Sequence, residues 1–253
     1  MRTDQIALQL YTVRERTAAD FVWTLRELAA IGYRAVEIAG YGKVPVRALR
    51  AALDELGLRA TGAHMAYERF EAEFGQVVAE LRALGAEFAI VPWLARERWG
   101  DGQGVRRLAA RFNEWGERCR AEGLTFGYHN HAFEFEPLPG EGGRTMLDAL
   151  LAETDPALVA FELDVYWAAY AGADPLGLLR RHAERIPLLH LKDMGVDPER
   201  SDVPVGAGTI TWGPILEAAE AGVQWYIVEQ DNPRDPLADV TASLRAVEAM
   251  ATG

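Results

Sequence analysis

A short apolar run, a polar loop, an amphipathic helix and a glycine leading into the next run recur eight times along the 253 residues of this chain. The repeat is one of type rather than of sequence. It constrains the fold more than any single motif, because helices alternating with buried-looking strands pair those strands in parallel. Strands are expected at 5–12, 34–39, 59–65, 87–93, 124–131, 158–165, 187–192 and 224–231, with a last helix over 236–250. Eight such units in this length predict an α/β fold closed into a single (βα)8 TIM barrel, one domain spanning 1–253. The alternative is an open doubly wound sheet. No strand opens a Gly-x-Gly-x-x-Gly turn into a helix, which weakens its dinucleotide-binding form.

Local punctuation supports the repeat. Five helix ends close on Gly32, Gly57, Gly85, Gly123 and Gly222, where glycine supplies a left-handed cap. Asp174-Pro175 and Asp235-Pro236 each pair an N-cap acid with proline at the first helical position, and Thr211 is a third candidate cap. The longest irregular stretches, 137–143 and 194–210, both follow strands, where a barrel places its functional loops.

With 49% hydrophobic residues the chain has ample material for a core. The 26 lysines and arginines face 38 acids, a formal charge of -12 that would repel a phosphate backbone in the absence of a local basic stripe, so no nucleic-acid partner is expected. The single cysteine, Cys119, falls in a helical pattern, which rules out a disulfide framework or a cysteine-rich zinc site and suits a reducing cytoplasm. No apolar segment approaches the ~20 residues a membrane span needs. A soluble cytoplasmic protein without a membrane partner is expected, and a homo-oligomer stays open.

Barrel strands are covered by helices outside and packed against one another inside, so a polar side chain on a strand needs a reason. Gln9, Glu37, His64, His129, His131, Glu162, Asp164, His190, Lys192 and Glu229 all lie toward the C-terminal ends of predicted strands. In a closed barrel they converge on one mouth. In Gly127-Tyr128-His129-Asn130-His131, alternation puts both histidines on one face. A buried hydrogen-bonded network explains such convergence without a metal. Nitrogen and oxygen donors on four consecutive strands, His129, Asp164, His190 and Glu229, also make a first shell for one divalent ion, with manganese, cobalt, iron and zinc suited and magnesium less so. The fifth histidine, His182, lies in a helical pattern and reads as surface.

At these residues the chain resembles the xylose isomerase-like TIM barrel superfamily, often labelled the sugar phosphate isomerase/epimerase group. The matching segments are Ile6-Ala-Leu-Gln-Leu-Tyr-Thr12, Val36-Glu-Ile-Ala-Gly40, Tyr128-His-Asn-His-Ala-Phe-Glu-Phe135, Glu162-Leu-Asp-Val-Tyr-Trp167, Leu189-His-Leu-Lys-Asp193 and Val205-Gly-Ala-Gly-Thr209. They appear in order and span essentially the whole chain. The resemblance implies one divalent metal, usually manganese-like, at the C-terminal mouth, with Asp164, His190 and Glu229 at the positions of the usual ligands. Two departures stand out. His129-Asn130-His131 replaces the Glu-Asn-His context of the ketose epimerases, whose fifth- and eighth-strand glutamates act as paired acid/bases, and Trp167 stands where epimerases often have histidine.

The expected activity is a metal-dependent sugar isomerase or epimerase working on a ketose, keto-sugar or related polyol through an enediolate. Glu229 is the candidate base that the resemblance suggests, with Glu134 and His131 for a second proton transfer. Lys192 holds an oxyanion or hydroxyl, or else pairs with Asp164 or Glu162. Glu37 and His64 contact the far side of the substrate or serve structure, and Trp93, Trp167 and Tyr11 form an apolar wall against a sugar face or simply pack. An enolate that expels a β-substituent makes the same site a lyase or dehydratase of a keto-sugar or inosose, and His129 in place of glutamate shifts weight to that branch. An endonuclease IV-like nuclease and a non-catalytic binding protein are the remaining alternatives. Gly206-Ala-Gly208 is read as a weak anion nest or a turn.

Overall fold

A computed structural model of the chain describes residues 1–252. Eight parallel strands, β1 (Ile6–Gln9), β2 (Ala35–Ile38), β3 (Arg59–His64), β4 (Phe88–Val91), β5 (Thr125–His129), β6 (Val159–Asp164), β7 (Leu188–Leu191) and β8 (Trp225–Val228), close into a barrel in chain order, β8 pairing with β1. Helices cover it outside, ending with Pro236–Thr252. Most of the core lies between strands and helices, where Leu25, Leu53, Phe112, Trp115 and Leu150 are buried. No helix among the described residues is long and apolar enough to cross a membrane.

Inside the barrel the period of two divides the chemistry by depth. Ala7, Ala35, Phe88, Ile90, Leu188 and Ile227 form an apolar floor. Two residues further along four of those strands stand Gln9, Glu37, His190 and Glu229, all buried. Register sets the neighbours: Gln9 lies beside Glu37, His129 beside Glu162, and Asp164 beside His190. Gly127 fits the same scheme, since a Cβ there would stand 2.6 Å from Ile90 Cδ1.

All eight expected strands are present, and each is shorter than its sequence pattern. The chain leaves the ladder at the C-terminal ends, so His131, Lys192 and Glu229 lie just past the last paired residue. Residues 194–210 are not wholly irregular: Asp193–Met194 pairs antiparallel with Asp202–Val203. Asp235 caps its helix, accepting from Ala238 N at 3.2 Å, whereas neither Asp174 nor Thr211 makes a side-chain cap. Gly32, Gly57, Gly85 and Gly123 have the expected positive φ. Gly222 does not; a Cβ there would meet Ala183 O at 2.1 Å, so its requirement is close approach.

Candidate active site

Two histidines organise the mouth, each held at one ring nitrogen by a carboxylate. His190 Nε2 lies 2.9 Å from Glu37 Oε2 and 3.2 Å from Glu162 Oε2. His129 Nδ1 lies 3.0 Å from Glu162 Oε2. The opposite nitrogens face two further carboxylates: His190 Nδ1 is 2.9 Å from Glu229 Oε2, and His129 Nε2 is 4.0 Å from Asp164 Oδ2. A ligating histidine is ordinarily oriented by a carboxylate on its other nitrogen, and Glu37 and Glu162 occupy that position here.

Two overlapping groups have candidate ligand atoms within 4.8 Å of one another: His129, Asp164, His190 and Glu229, and His64, His129, Glu162 and His190. Hydrogen bonding separates them. The second group meets at Glu162 Oε2, already within 2.7, 3.0 and 3.2 Å of three imidazole nitrogens. In the first group Asp164 Oδ2 is buried without a hydrogen-bond partner, while Oδ1 accepts from Trp167 N at 2.8 Å. Two imidazoles and two carboxylates, one of them with an orphaned oxygen, fit a divalent cation bound by the first group.

Charges are arranged around that set. Burial opposes ionisation of Glu37, but His64 and His190 hold it well below the carboxylate range. Burial likewise opposes charge on Glu229, which Lys192 and His190 bring down. Lys192 is fully buried, 2.6 Å from Asp231, 3.5 Å from Glu229 and 3.7 Å from Asp164. Despite burial, Glu37 and Glu162 raise His64 to about 10. Burial drives His129 well down, and together with Lys192 brings His131 down to about 4, so both are neutral imidazoles at neutral pH.

A cavity of about 660 Å³ opens above the cluster; its lining includes His64, Arg69, His129, His131, Glu229 and Asp231 among polar residues and Tyr11, Met65, Pro92 and Trp93 among apolar and aromatic ones. Other expected site residues fall elsewhere. Glu37 is fully buried, with Gln9 Nε2 donating to it at 2.7 Å, and does not line the cavity; a strand pattern gives its face but not its depth. Glu134 also lies outside the lining. Its oxygens accept from Tyr128 OH at 2.6 Å and His131 N at 2.7 Å, because the chain turns after β5 into a short 3-10 helix, Phe133–Phe135. Lys192 is tied to its three carboxylates beneath Trp167, 5.1 Å from that ring. Trp167 lines a neighbouring cavity instead and packs its ring 5.5 Å from His131. His182 is partly buried.

The Gly206-Ala-Gly208 nest is filled by the chain itself. Gly206 N and Gly208 N donate to Asp193 Oδ2 at 2.9 and 3.3 Å; Ile210 N and Met194 N reach Oδ1, and Trp212 Nε1 reaches Oδ2. In the sequence Asp193 is only the last residue of the Leu189-His-Leu-Lys-Asp193 segment. Its partners lie up to 19 residues away, so no local signal marks it.

Residues 25–250 match the family described as xylose isomerase-like TIM barrel. This chain belongs to that family. Among curated family relatives, the inosose dehydratase of Lacticaseibacillus casei is 28% identical over 260 residues, covering 84% of this chain and 82% of that protein. A solved sugar phosphate isomerase/epimerase from Parabacteroides distasonis superposes with a TM-score of 0.85 at 26% identity, covering 98% and 95% of the two chains. The IolI protein, solved with a bound zinc atom, shares the fold at a TM-score of 0.74 and 13% identity over 98% of each chain.

Proposed function

We propose that the protein is a metal-dependent lyase that removes water from a keto-polyol such as an inosose, in preference to the isomerase or epimerase expected from the sequence. The observation behind this reading is the asymmetry of the cavity wall: a neutral imidazole, His131, with Nδ1 buried and unpartnered, faces the same space as an ionised carboxylate, Glu229. The second carboxylate of the lining, Asp231, is tied to Lys192 at 2.6 Å, so it is not the equivalent of Glu229 that a symmetric two-carboxylate epimerisation needs. The inosose dehydratase relatives favour the same branch.

His129, Asp164, His190 and Glu229 would hold the ion. When bound, a divalent cation supplies Lewis-acid polarisation of the substrate carbonyl. The chain does the rest. His131 accepts the proton α to the carbonyl; the C–H pair forms the new C=C bond as the β C–O bond breaks, and the imidazolium returns the proton to the departing hydroxide, giving water. Lys192 offsets the carboxylates of Glu229, Asp164 and Asp231 and keeps Glu229 ionised. Glu134 is a positioning residue that fixes the His131 backbone, while Glu37 and Glu162 orient the two ligand imidazoles.

Incubation of the metal-loaded protein with inososes and ketoses in deuterium oxide, followed by mass spectrometry, tests the reading. Loss of one water per turnover is the expected result. Deuterium exchange or isomer formation without loss of water assigns the site to the isomerases and rejects the lyase.

A further inference from the structure

The cavity is larger than the chemistry proposed for it requires. At about 660 Å³ it lies within the roughly 300–1,000 Å³ range that encloses drug-sized ligands, and a single six-membered polyol ring occupies only part of such a space. Its charged and imidazole lining residues are His64, Arg69, His129, His131, Glu229 and Asp231. The same cavity is lined by Tyr11, Tyr41, Met65, Pro92 and Trp93. Trp93 is 54% exposed and Tyr11 42% exposed, among the few large hydrophobic side chains left in solvent, and both stand on this wall. The Arg14 guanidinium stands 4.3 Å over the Tyr11 ring and covers one of its faces, whereas Trp93 offers an open stacking face beside the catalytic cluster.

Charge narrows the occupant. Two basic residues line the cavity and both are committed: the Arg69 guanidinium to Glu80 at 2.9 Å and Glu73 at 3.0 Å, and His64 Nε2 to Glu162 at 2.7 Å and Glu37 at 3.2 Å. Lys192 is bound by three carboxylates, and the glycine nest is filled by Asp193. Among the described residues no free cation faces the cavity to receive a phosphate, so this part of the wall suits an uncharged, apolar group.

Building on the keto-polyol reading, we infer that the substrate is a neutral keto-sugar bearing an apolar, aromatic substituent, which the Tyr11–Met65–Pro92–Trp93 wall binds while the keto ring sits over His131 and Glu229. The substituent adds binding area remote from the reacting carbons, so it discriminates between substrates without taking part in proton transfer.

The test separates binding from turnover. Calorimetry with unreactive phenyl and methyl glucosides is run on the wild type, Trp93→Ala and Tyr11→Ala. The phenyl compound should bind the wild type about tenfold more tightly, as burial of one aromatic ring allows. Trp93→Ala should remove most of that preference, with a smaller effect on the methyl compound. Equal affinity for the two glucosides, or equal weakening of both by Trp93→Ala, overturns the inference. A phenyl preference in a protein that eliminates nothing from phenyl 3-keto-glucoside or an inosose upholds the subsite and rejects the lyase reading alone.

Discussion

Glu37 Oε2 stands 2.9 Å from His190 Nε2, on the side of the ring away from Asp164 and Glu229, and neither residue has measurable solvent exposure. Gln9 anchors the same oxygen at 2.7 Å, so the carboxylate is fixed before any ligand arrives. Despite burial, Glu162 and Glu229 push His190 well up, and when it gives up a proton to act as a ligand the arrangement keeps the remaining one on Nε2 and leaves Nδ1 for the cluster.

Replacement of Glu37 by Gln should therefore weaken divalent-metal binding by about 10–100-fold while leaving the fold intact, since Gln retains the volume and one acceptor. Titration with manganese or zinc, watched by calorimetry, measures it. An unchanged affinity shows that Glu37 has no part in orienting His190.

A second expectation concerns the metal itself. Protein purified without chelator should hold about one equivalent of a divalent cation, and Asp164→Ala or His190→Ala should lose it together with activity. Elemental analysis decides: no stoichiometric metal in the wild type, and turnover indifferent to chelator, removes the cation from the mechanism.

Glu134 gives a pH prediction. Burial, opposed by hydrogen bonds from Tyr128 and the His131 backbone, pushes its carboxyl up to about 7 from an ordinary value of 4.5. A raised pKa means that the folded state holds the proton more tightly than the unfolded chain. The associated stability is complete below about 4.5 and is lost as pH rises through about 7, at most about 3 kcal/mol by linkage. Glu134→Gln cannot titrate, and its amide can donate to Tyr128 while accepting from His131 N. Urea unfolding at pH 5 and pH 8 should show the wild type losing more stability than the variant across that interval; parallel losses rule Glu134 out as the source.

What could be read from the sequence follows depth and register. The convergence of His129, Asp164, His190 and Glu229 on one mouth was legible because each stands at the end of a strand and alternation turns it inward; the residue two before it is Gly127, Leu188 or Ile227 on three strands and the buried Glu162 before Asp164. Glu37 obeyed the same alternation but stops beneath His64 and His190, a distinction that needs the relative heights of β2, β3 and β7. Glu134 illustrates the opposite failure: the ladder ends at His129, so face assignments made by counting in twos no longer apply beyond it. The helix caps depended on rotamers, which is why Asp235 met its expectation and Asp174 did not. The dehydratase branch depended on relatives, because His129 in place of glutamate only weakened the symmetric epimerase mechanism.

Asp193 was invisible to that kind of reading, and its variant should be the most damaging to the fold. The carboxylate receives four backbone N–H groups and the Trp212 indole, tying residues 194–212 to the end of β7. Asp193→Ala would leave several buried donors unpaired at about 1–3 kcal/mol each, so a loss of at least about 3 kcal/mol is expected, with faster amide exchange across 203–212. Exchange measured by mass spectrometry localises the effect; uniform acceleration over the whole barrel would mean that the carboxylate supports the fold globally rather than this loop.

The sharpest separation of chemistry from structure comes at His131. Its ring lines the cavity, stacks 6.0 Å from Phe133, and has Nδ1 without a partner, so a polar replacement of similar size should leave packing and the four cluster residues in place. His131→Gln should bind metal as the wild type does, yet lose about 10²–10⁴ in kcat, the usual contribution of a positioned acid/base group. Substrate affinity should change far less than kcat, because the proton transfers concern the transition state rather than ground-state binding. Steady-state kinetics with matched metal content supplies the comparison. A variant retaining full kcat returns the proton transfer to Glu229, whereas a rise in KM alone assigns His131 to substrate binding.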